Sequence, residues 1–392
     1  MEPGDAIDRA RALVPLLRER APEADSQRRM SDDTMRALTA AGMFRLVQPL
    51  RFGGHQLGAE TFVDAMVEIS RGDGSAGWIT SLTAAHNKWA GFFPFEGQQE
   101  MYADDGDLRF PLVVAAQGQA ARVEGGYLLS GTWDYVSGCD VCNWLGLTAI
   151  VAGPTEGGRP AGPISVVIRA SEYRIEDNWH VEAMRGTGSK RAVVDGVFVP
   201  LHRTISLGPD GEPVGRVPLD GPDEGFFALP MPPLFACELG AVAVGVGRAF
   251  VELFAERAQA KTSPFPPFGV LRDSETVQAR LGRAAGTVDR AHRVVAGVAR
   301  DYDMAARASI PFYDEIETRR ALIAVQGAVL DVCSAVESLG TVAGTSIVRE
   351  GEPLMRAWRD LIAIRTHYLL DSDRTSLNLG RLLLGLDPVS RN

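Results

Sequence analysis

Along this chain the spacing of apolar residues changes twice. Up to about residue 110 they recur every three or four positions, from 111 to about 205 they alternate with polar ones, and from 237 helical spacing returns and persists. Ala6, Leu13, Leu16 and Leu17 predict a helix over 5–20, with Pro15 an interruption because it removes a backbone donor. Ser31 suits the N-cap of a helix over 32–41, which carries Asp32 and Asp33 in its first turn and Gly42 at its end. An amphipathic helix follows over 59–70 and is broken or capped by Arg71-Gly72-Asp73-Gly74-Ser75. The next, from Ala76 through Asn87, is rich in small residues, so its backbone can approach a neighbour or a planar ligand closely. Residues 92–110 read as a short helix and a linker.

The alternating stretch begins with Val113-Val114, Ala121-Arg122-Val123, Tyr127-Leu128-Leu129-Ser130 and Trp133-Asp134-Tyr135-Val136, punctuated at Gly125-Gly126. It continues through 144–147, 164–168, 173–175 and 184–200, predicting a small β-barrel or sandwich over about 111–205. Beyond a Pro- and Gly-rich linker over 208–233, helices at 237–261, 274–306, 314–339 and 354–371 predict a four-helix bundle, a common oligomer interface. The plan is α+β: an N-terminal α-helical domain over 1–110, a central β domain over 111–225 and the bundle over 226–392. Gly245-Val246-Gly247 lies within a helix with no strand before it, so it is not a dinucleotide fingerprint.

Composition narrows the function classes. A net charge of −10 on 392 residues argues against nucleic acid or an anionic membrane as partner. The charged N-terminus has no signal-peptide core, and no run of about 18 apolar residues occurs, so a cytoplasmic protein is expected. Four cysteines fit a reducing compartment. Cys139 and Cys142 form a CxxC, but in an extended segment they point to opposite faces, so ordinary strand cysteines and no metal are expected.

Three stretches carry candidate chemistry. Met184 to Pro200, MRGTGSKRAVVDGVFVP, sets a Gly-rich loop before a strand, where backbone N–H groups can meet a phosphate or ring carbonyl. Gly131 to Leu147, GTWDYVSGCDVCNWLGL, holds Ser137 beside Gly138. Pro353 to Leu370, PLMRAWRDLIAIRTHYLL, brings Asp360, His367 and Asp371 within about 40° on a helical wheel, so Asp371 can orient the His367 imidazole.

These stretches, with Gly74-Ser75-Ala76-Gly77-Trp78 and His86, resemble the acyl-CoA dehydrogenase fold over nearly the full length. The GTGS form is similar to its flavin-dependent monooxygenase branch, the oxygenase components of two-component hydroxylases acting on para-hydroxyphenylacetate or secosteroid phenols. That resemblance implies reduced FMN or FAD and molecular oxygen as cofactors, a separate NAD(P)H-dependent flavin reductase, a small aromatic substrate and a homotetramer. Tyr135, Val136, Ser137, Gly138, Trp179, Arg185, Thr187, Gly188 and Ser189 would flank the flavin, although Trp179 could instead plug the barrel. His86, Trp78 and Asp371 would line the substrate site. His367 would take the phenol proton or stabilise a flavin C4a-hydroperoxide, as a group titrating near pH 6.5 can; Ser137 and His86 complete the catalytic set.

Relatives carry a second serine and often a histidine near Val136, Val141 and Cys142, so the site here is greasier. The expected activity is hydroxylation of a phenolic or polycyclic aromatic, with N- or S-oxygenation as the alternative. Acyl-CoA dehydrogenation is a third reading, but the Glu350-Gly351 dipeptide precedes Arg359-Asp360 and leaves no evident carboxylate base. A non-catalytic scaffold is the fourth.

Overall fold

The computed structural model describes residues 1–153, 162–208, 211, 213–214, 224–263, 269–308 and 314–389. Residues 209–210, 212 and 215–223 of the expected 208–233 linker, and 264–268 of the stretch before the second bundle helix, lie outside them.

Helices α1 (Pro3–Gln27), α2 (Asp32–Ala40), α3 (Ala59–Gly72), α4 (Gly74–Ala90) and α5 (Phe95–Met101) come first. α1 runs straight through Pro15 and Pro22. Each proline deletes one hydrogen bond, but Ala6, Ala10, Val14, Leu17, Ala21 and Ala24 form a continuous buried stripe that holds the helix together. Ser31 does cap α2, accepting the Thr34 N–H at 3.3 Å. Asp73 ends α3 and caps α4, its Oδ2 accepting the Ala76 N–H at 2.8 Å.

Seven strands follow: β1 (Leu112–Val123), β2 (Gly126–Val136), β3 (Trp144–Ala152), β4 (Pro163–Arg169), β5 (Arg174–Glu176), β6 (Lys190–Pro200) and β7 (Thr204–Ser206). They form one sheet in the order β5-β6-β2-β1-β3-β4-β7. All pairs are antiparallel except β1 with β3. Leu129, Trp133, Leu145, Leu147, Val166, Ile168 and Val194 share one core, so the sheet curls around its own apolar face. Among the described residues β5 and β7 remain edges, so the expected barrel or sandwich takes the form of one curled sheet.

The C-terminal helices are α6 (Glu224–Ala228), α7 (Met231–Ala260), α8 (Glu275–Ala308), α9 (Glu315–Gly340), α10 (Pro353–Arg365) and α11 (Ser372–Leu383). α6 crosses residue 225, the expected edge of the β domain. Within α7, 83% of the most apolar window, of mean hydropathy 1.7, is buried inside the fold, as for a core helix. Small residues bring α7 onto α3: a Cβ at Gly245 would lie 2.4 Å from the Val67 carbonyl oxygen.

The last bundle helix is shorter than expected. α10 ends at Arg365, where the Thr366 hydroxyl donates to the Ala363 carbonyl. His367 then opens a 3-10 turn over Tyr368–Leu370, and Asp371 caps α11 by accepting the Asp373 and Arg374 N–H groups. The helical wheel that placed Asp371 beneath His367 therefore does not apply. The run Asp371-Ser372-Asp373, an N-cap with acid in the first turn, was the available signal.

Replacing Gly245 with valine should destabilise the protein by about 1–3 kcal/mol, because the obstacle is backbone and cannot rotate away. Urea unfolding should show a lower midpoint at an unchanged slope.

Candidate active site

A cavity of about 470 Å³ opens where the first helices, the sheet and the bundle meet. That size lies within the roughly 300–1,000 Å³ typical of small-molecule sites. α4 contributes Trp78, Leu82 and His86, the start of β1 Leu112 to Ala115, and α7 Phe235 and Glu238. The end of α10 and the turn after it add Ile364, His367, Tyr368 and Leu369.

One edge is a chain of hydroxyls. The Trp78 Nε1–H donates to Ser137 Oγ at 3.1 Å, Ser137 contacts Ser189 at 2.8 Å, and Ser189 contacts Thr187 at 2.6 Å. The Thr187 hydroxyl must donate to the Met184 carbonyl at 2.8 Å, because a carbonyl only accepts. Ser189 then donates to Thr187 and Ser137 donates to Ser189. With Trp78 occupying one lone pair, Ser137 Oγ keeps another for a donor in the cavity.

The two imidazoles hold opposite tautomers. The His86 Nδ1–H donates to the Phe110 carbonyl at 3.1 Å, leaving Nε2 with its lone pair. The Leu369 N–H donates to His367 Nδ1 at 3.4 Å, leaving Nε2–H as a donor. Burial lowers both rings to a pKa of about 4, and a backbone bond at His86 offsets this only slightly. His367 thus does not titrate near pH 6.5, and both rings are neutral at pH 7. His86 is 3% exposed and edge-on to Phe235 at 5.7 Å.

Several expected flavin contacts lie elsewhere. Val136 is fully buried in the sheet core. Gly138 donates its N–H to the Thr187 carbonyl at 2.8 Å and faces Ile79. Arg185 reaches away, donating to the Asp25 and Val181 carbonyls at 2.9 and 2.8 Å. A Cβ at Gly186 would strike Met30 and Ser75, and one at Gly188 would strike Asp140, so these glycines serve packing between protein segments. Of the loop, Thr187 and Ser189 face the cavity. Asp371, spent on capping, is exposed and off the cavity wall. Trp179 does not plug the sheet; it is half-buried at the cavity mouth, donating to the Met184 carbonyl and edge-on to Tyr135 at 6.1 Å.

Cys139 and Cys142 are free and sit in the turn after β2, not in a strand; Cys142 contacts the Tyr173 hydroxyl at 3.1 Å. Among the described residues no group of three or more His, Cys, Asp or Glu side chains is arranged to hold a metal.

Sequence reasoning missed Glu238. It is 2% exposed, lines the cavity from α7 and is held well above the usual carboxylate range by burial. The signal was one acid in the otherwise uncharged run of α7 from Met231 to Gly247. Asp360 was noted only for its place on the wheel; its Oδ1 accepts the Met184 N–H at 2.6 Å.

Comparison with known proteins decides the family. The chain is 32% identical over 386 residues to the oxygenase subunit HsaA of a flavin-dependent monooxygenase from Rhodococcus jostii, covering 97% of this chain and 98% of that one. This protein belongs to the flavin-dependent monooxygenase oxygenase subunits. The oxygenase component of an FADH2-dependent resorcinol hydroxylase from a Rhizobium strain is 29% identical, over 97% of this chain and 94% of its own. The solved structure of XiaF from Streptomyces, in complex with FADH2 and glycerol, superposes with a TM-score of 0.90 at 28% identity, covering 100% and 97% of the two chains. Residues 238–372 also match the family described as acyl-CoA dehydrogenase, C-terminal domain. The monooxygenase subunit therefore uses the dehydrogenase fold, as its sequence implied.

The cavity fits a flavin ring. Leu82, Leu112, Val114 and Ile364 give apolar walls, while the open lone pair on Ser137 suits the N–H that the central ring carries only when reduced.

Both imidazoles should titrate near pH 4, followed by their ring C–H proton signals with His86→Asn and His367→Asn for assignment. Because the folded values are depressed, the stability these rings contribute is complete above pH 6.5 and is lost as pH falls toward 4.

Proposed function

We propose that the protein is the oxygenase component of a two-component system and hydroxylates a phenolic or polycyclic aromatic. Reduced FMN or FAD comes from a separate NAD(P)H-dependent reductase in the cytoplasm. The hydroxyl chain ending at Ser137 is the observation that carries this reading, because its direction favours a reduced ring over an oxidised one. When bound, reduced flavin supplies the two electrons and the activation of molecular oxygen. The resorcinol hydroxylase among the relatives supports a phenolic acceptor.

The chain's own residues then divide the work. Ser137 orients the ring edge, with Tyr135 and Trp179 at the mouth and Thr187 and Ser189 holding Ser137 in direction. His367, neutral and with Nε2–H outward, donates a hydrogen bond to an oxygen that gains negative charge. His86 Nε2 is the acceptor for the substrate hydroxyl and takes its proton as the aromatic ring is attacked. Trp78 stands edge-on to His367 at 5.6 Å and fixes that ring's orientation. Apolar walls keep water from the reacting atoms. In α9 only 50% of the most apolar window is buried within the chain, and Leu330 is exposed, which supports a further copy covering it in a homotetramer.

Acyl-CoA dehydrogenation has one observation in its favour, the Glu238 carboxyl inside the cavity. Reduction of an acceptor dye by acyl-CoA is expected to be undetectable.

The direct test is oxygen consumption with reduced FMN or FAD against phenols, amines and sulfides, with products identified by mass. A phenol that gains one oxygen atom is expected; oxygen uptake without any oxygenated product would overturn the reading. His367→Ala and His86→Asn should each lower product formation about 10²- to 10⁴-fold with flavin binding retained. Ser137→Ala should narrow the ratio of reduced- to oxidised-flavin affinity about tenfold in anaerobic spectrophotometric titrations.

A further inference from the structure

The cavity wall has an unusual charge inventory. Among the described residues no lysine or arginine lines it. Its two imidazoles are neutral, and its acids are Asp134 and Glu238. Asp134 is spent at the rim, where Arg191 and Asn178 both donate to it. Glu238 is different. Its residue is 2% exposed, and its Oε2 is buried with no hydrogen-bond partner among the described residues. Its main-chain carbonyl is engaged by the Ser81 hydroxyl at 3.2 Å.

A carboxyl buried in apolar surroundings without a donor is costly, and ionising it there without a counter-charge costs far more. Leucine at this place in α7 would pack without that penalty. Phe235, one turn before Glu238, lines the same cavity and stacks edge-on to His86, so the carboxyl lies on the wall that packs against the proposed proton acceptor. The missing partner is therefore a group that enters with a ligand. An anionic substituent finds no cation on the wall to pair with it. A neutral hydrocarbon leaves the carboxyl as it was. A protonated amine supplies both the donor and the counter-charge.

We propose that Glu238 anchors the substrate and that this substrate is an aromatic bearing a basic amine, whose ammonium group pairs with the Glu238 carboxylate. The proposal rests on the reading of the cavity as the oxygenation site. Binding such a substrate converts the carboxyl from its protonated to its ionised form and releases its proton to solvent.

The experiment is calorimetric titration of the full-length protein at pH 7 with three probes: tyramine, p-cresol and 4-hydroxyphenylacetate. Two buffers of different ionisation enthalpy count protons. Tyramine should bind about tenfold more tightly than p-cresol, with 4-hydroxyphenylacetate weakest, and should release about one proton per site. E238Q, nearly isosteric, should weaken tyramine about tenfold, leave p-cresol within about threefold and abolish the proton release. Equal affinities for the three probes, tightest binding of p-cresol or of the acid, or tyramine binding without proton release would each overturn the proposal. The wild-type proton count decides even if E238Q fails to fold.

Oxygenation of p-cresol separates the two levels of inference. If p-cresol is oxygenated while tyramine has no binding advantage, the role of Glu238 falls and the oxygenase reading stands. If tyramine binds as expected but neither phenol is oxygenated, the anchor stands and the oxygenation reading falls.

Discussion

The bond from the Met184 N–H to the Asp360 carboxylate holds the rest of the site in place. Met184 sits in the left-handed region at φ 51°, a conformation that a side chain of its size rarely adopts. Its N–H is fixed by a bundle helix, and its carbonyl accepts both the Thr187 hydroxyl and the Trp179 indole N–H. One strained peptide thus transmits the position of α10 to the cavity mouth and sets the direction of the hydroxyl chain. Burial raises Asp360 to about 7, with nearby Asp73 adding to the effect, whereas the Met184 bond opposes it.

Electrostatically, the cavity is built to stay neutral. Two imidazoles held at a pKa of about 4 cannot carry charge at pH 7, so the hydrogen-bond directions in the cavity come from tautomers fixed by backbone groups. The Phe110 carbonyl and the Leu369 N–H select opposite tautomers and give the cavity one acceptor and one donor. In a site of low effective dielectric such fixed dipoles act more strongly than they do in water, without the reorganisation that mobile charges require.

Much of this was legible in the chain. The three- and four-residue spacing located the long helices, alternation located the sheet, and the residues around Ser137, Thr187, Ser189, His86 and His367 are brought to one cavity. What failed were inferences that carried local geometry too far. Extending helical periodicity past Thr366 placed Asp371 under His367, whereas the chain turns there and starts a new helix. The glycines of the GTGS loop suggested close approach to a ligand, yet they accommodate Met30, Ser75 and Asp140. Such roles depend on what packs against the loop from sequence-distant elements. The choice between barrel and sandwich is equally non-local, since it depends on how far the two edge strands curl toward each other.

Glu238 illustrates why a single residue can escape periodicity altogether. Seven positions separate it from Gly245, so the two fall within about 20° on one face of α7. At Gly245 that face meets the α3 backbone, which fixes the depth of the helix in the molecule. Two turns earlier the same face reaches Ser81 of α4 through the Glu238 carbonyl, and its side chain lines the cavity. An apolar pattern records only that the face is buried. It does not distinguish the end packed against protein from the end that borders a cavity, and there a carboxyl is tolerated because a ligand can approach it. The close contact at Gly245 and the placement of the acid are consequently one constraint: moving α7 outward to relieve the first would withdraw the second from the cavity wall.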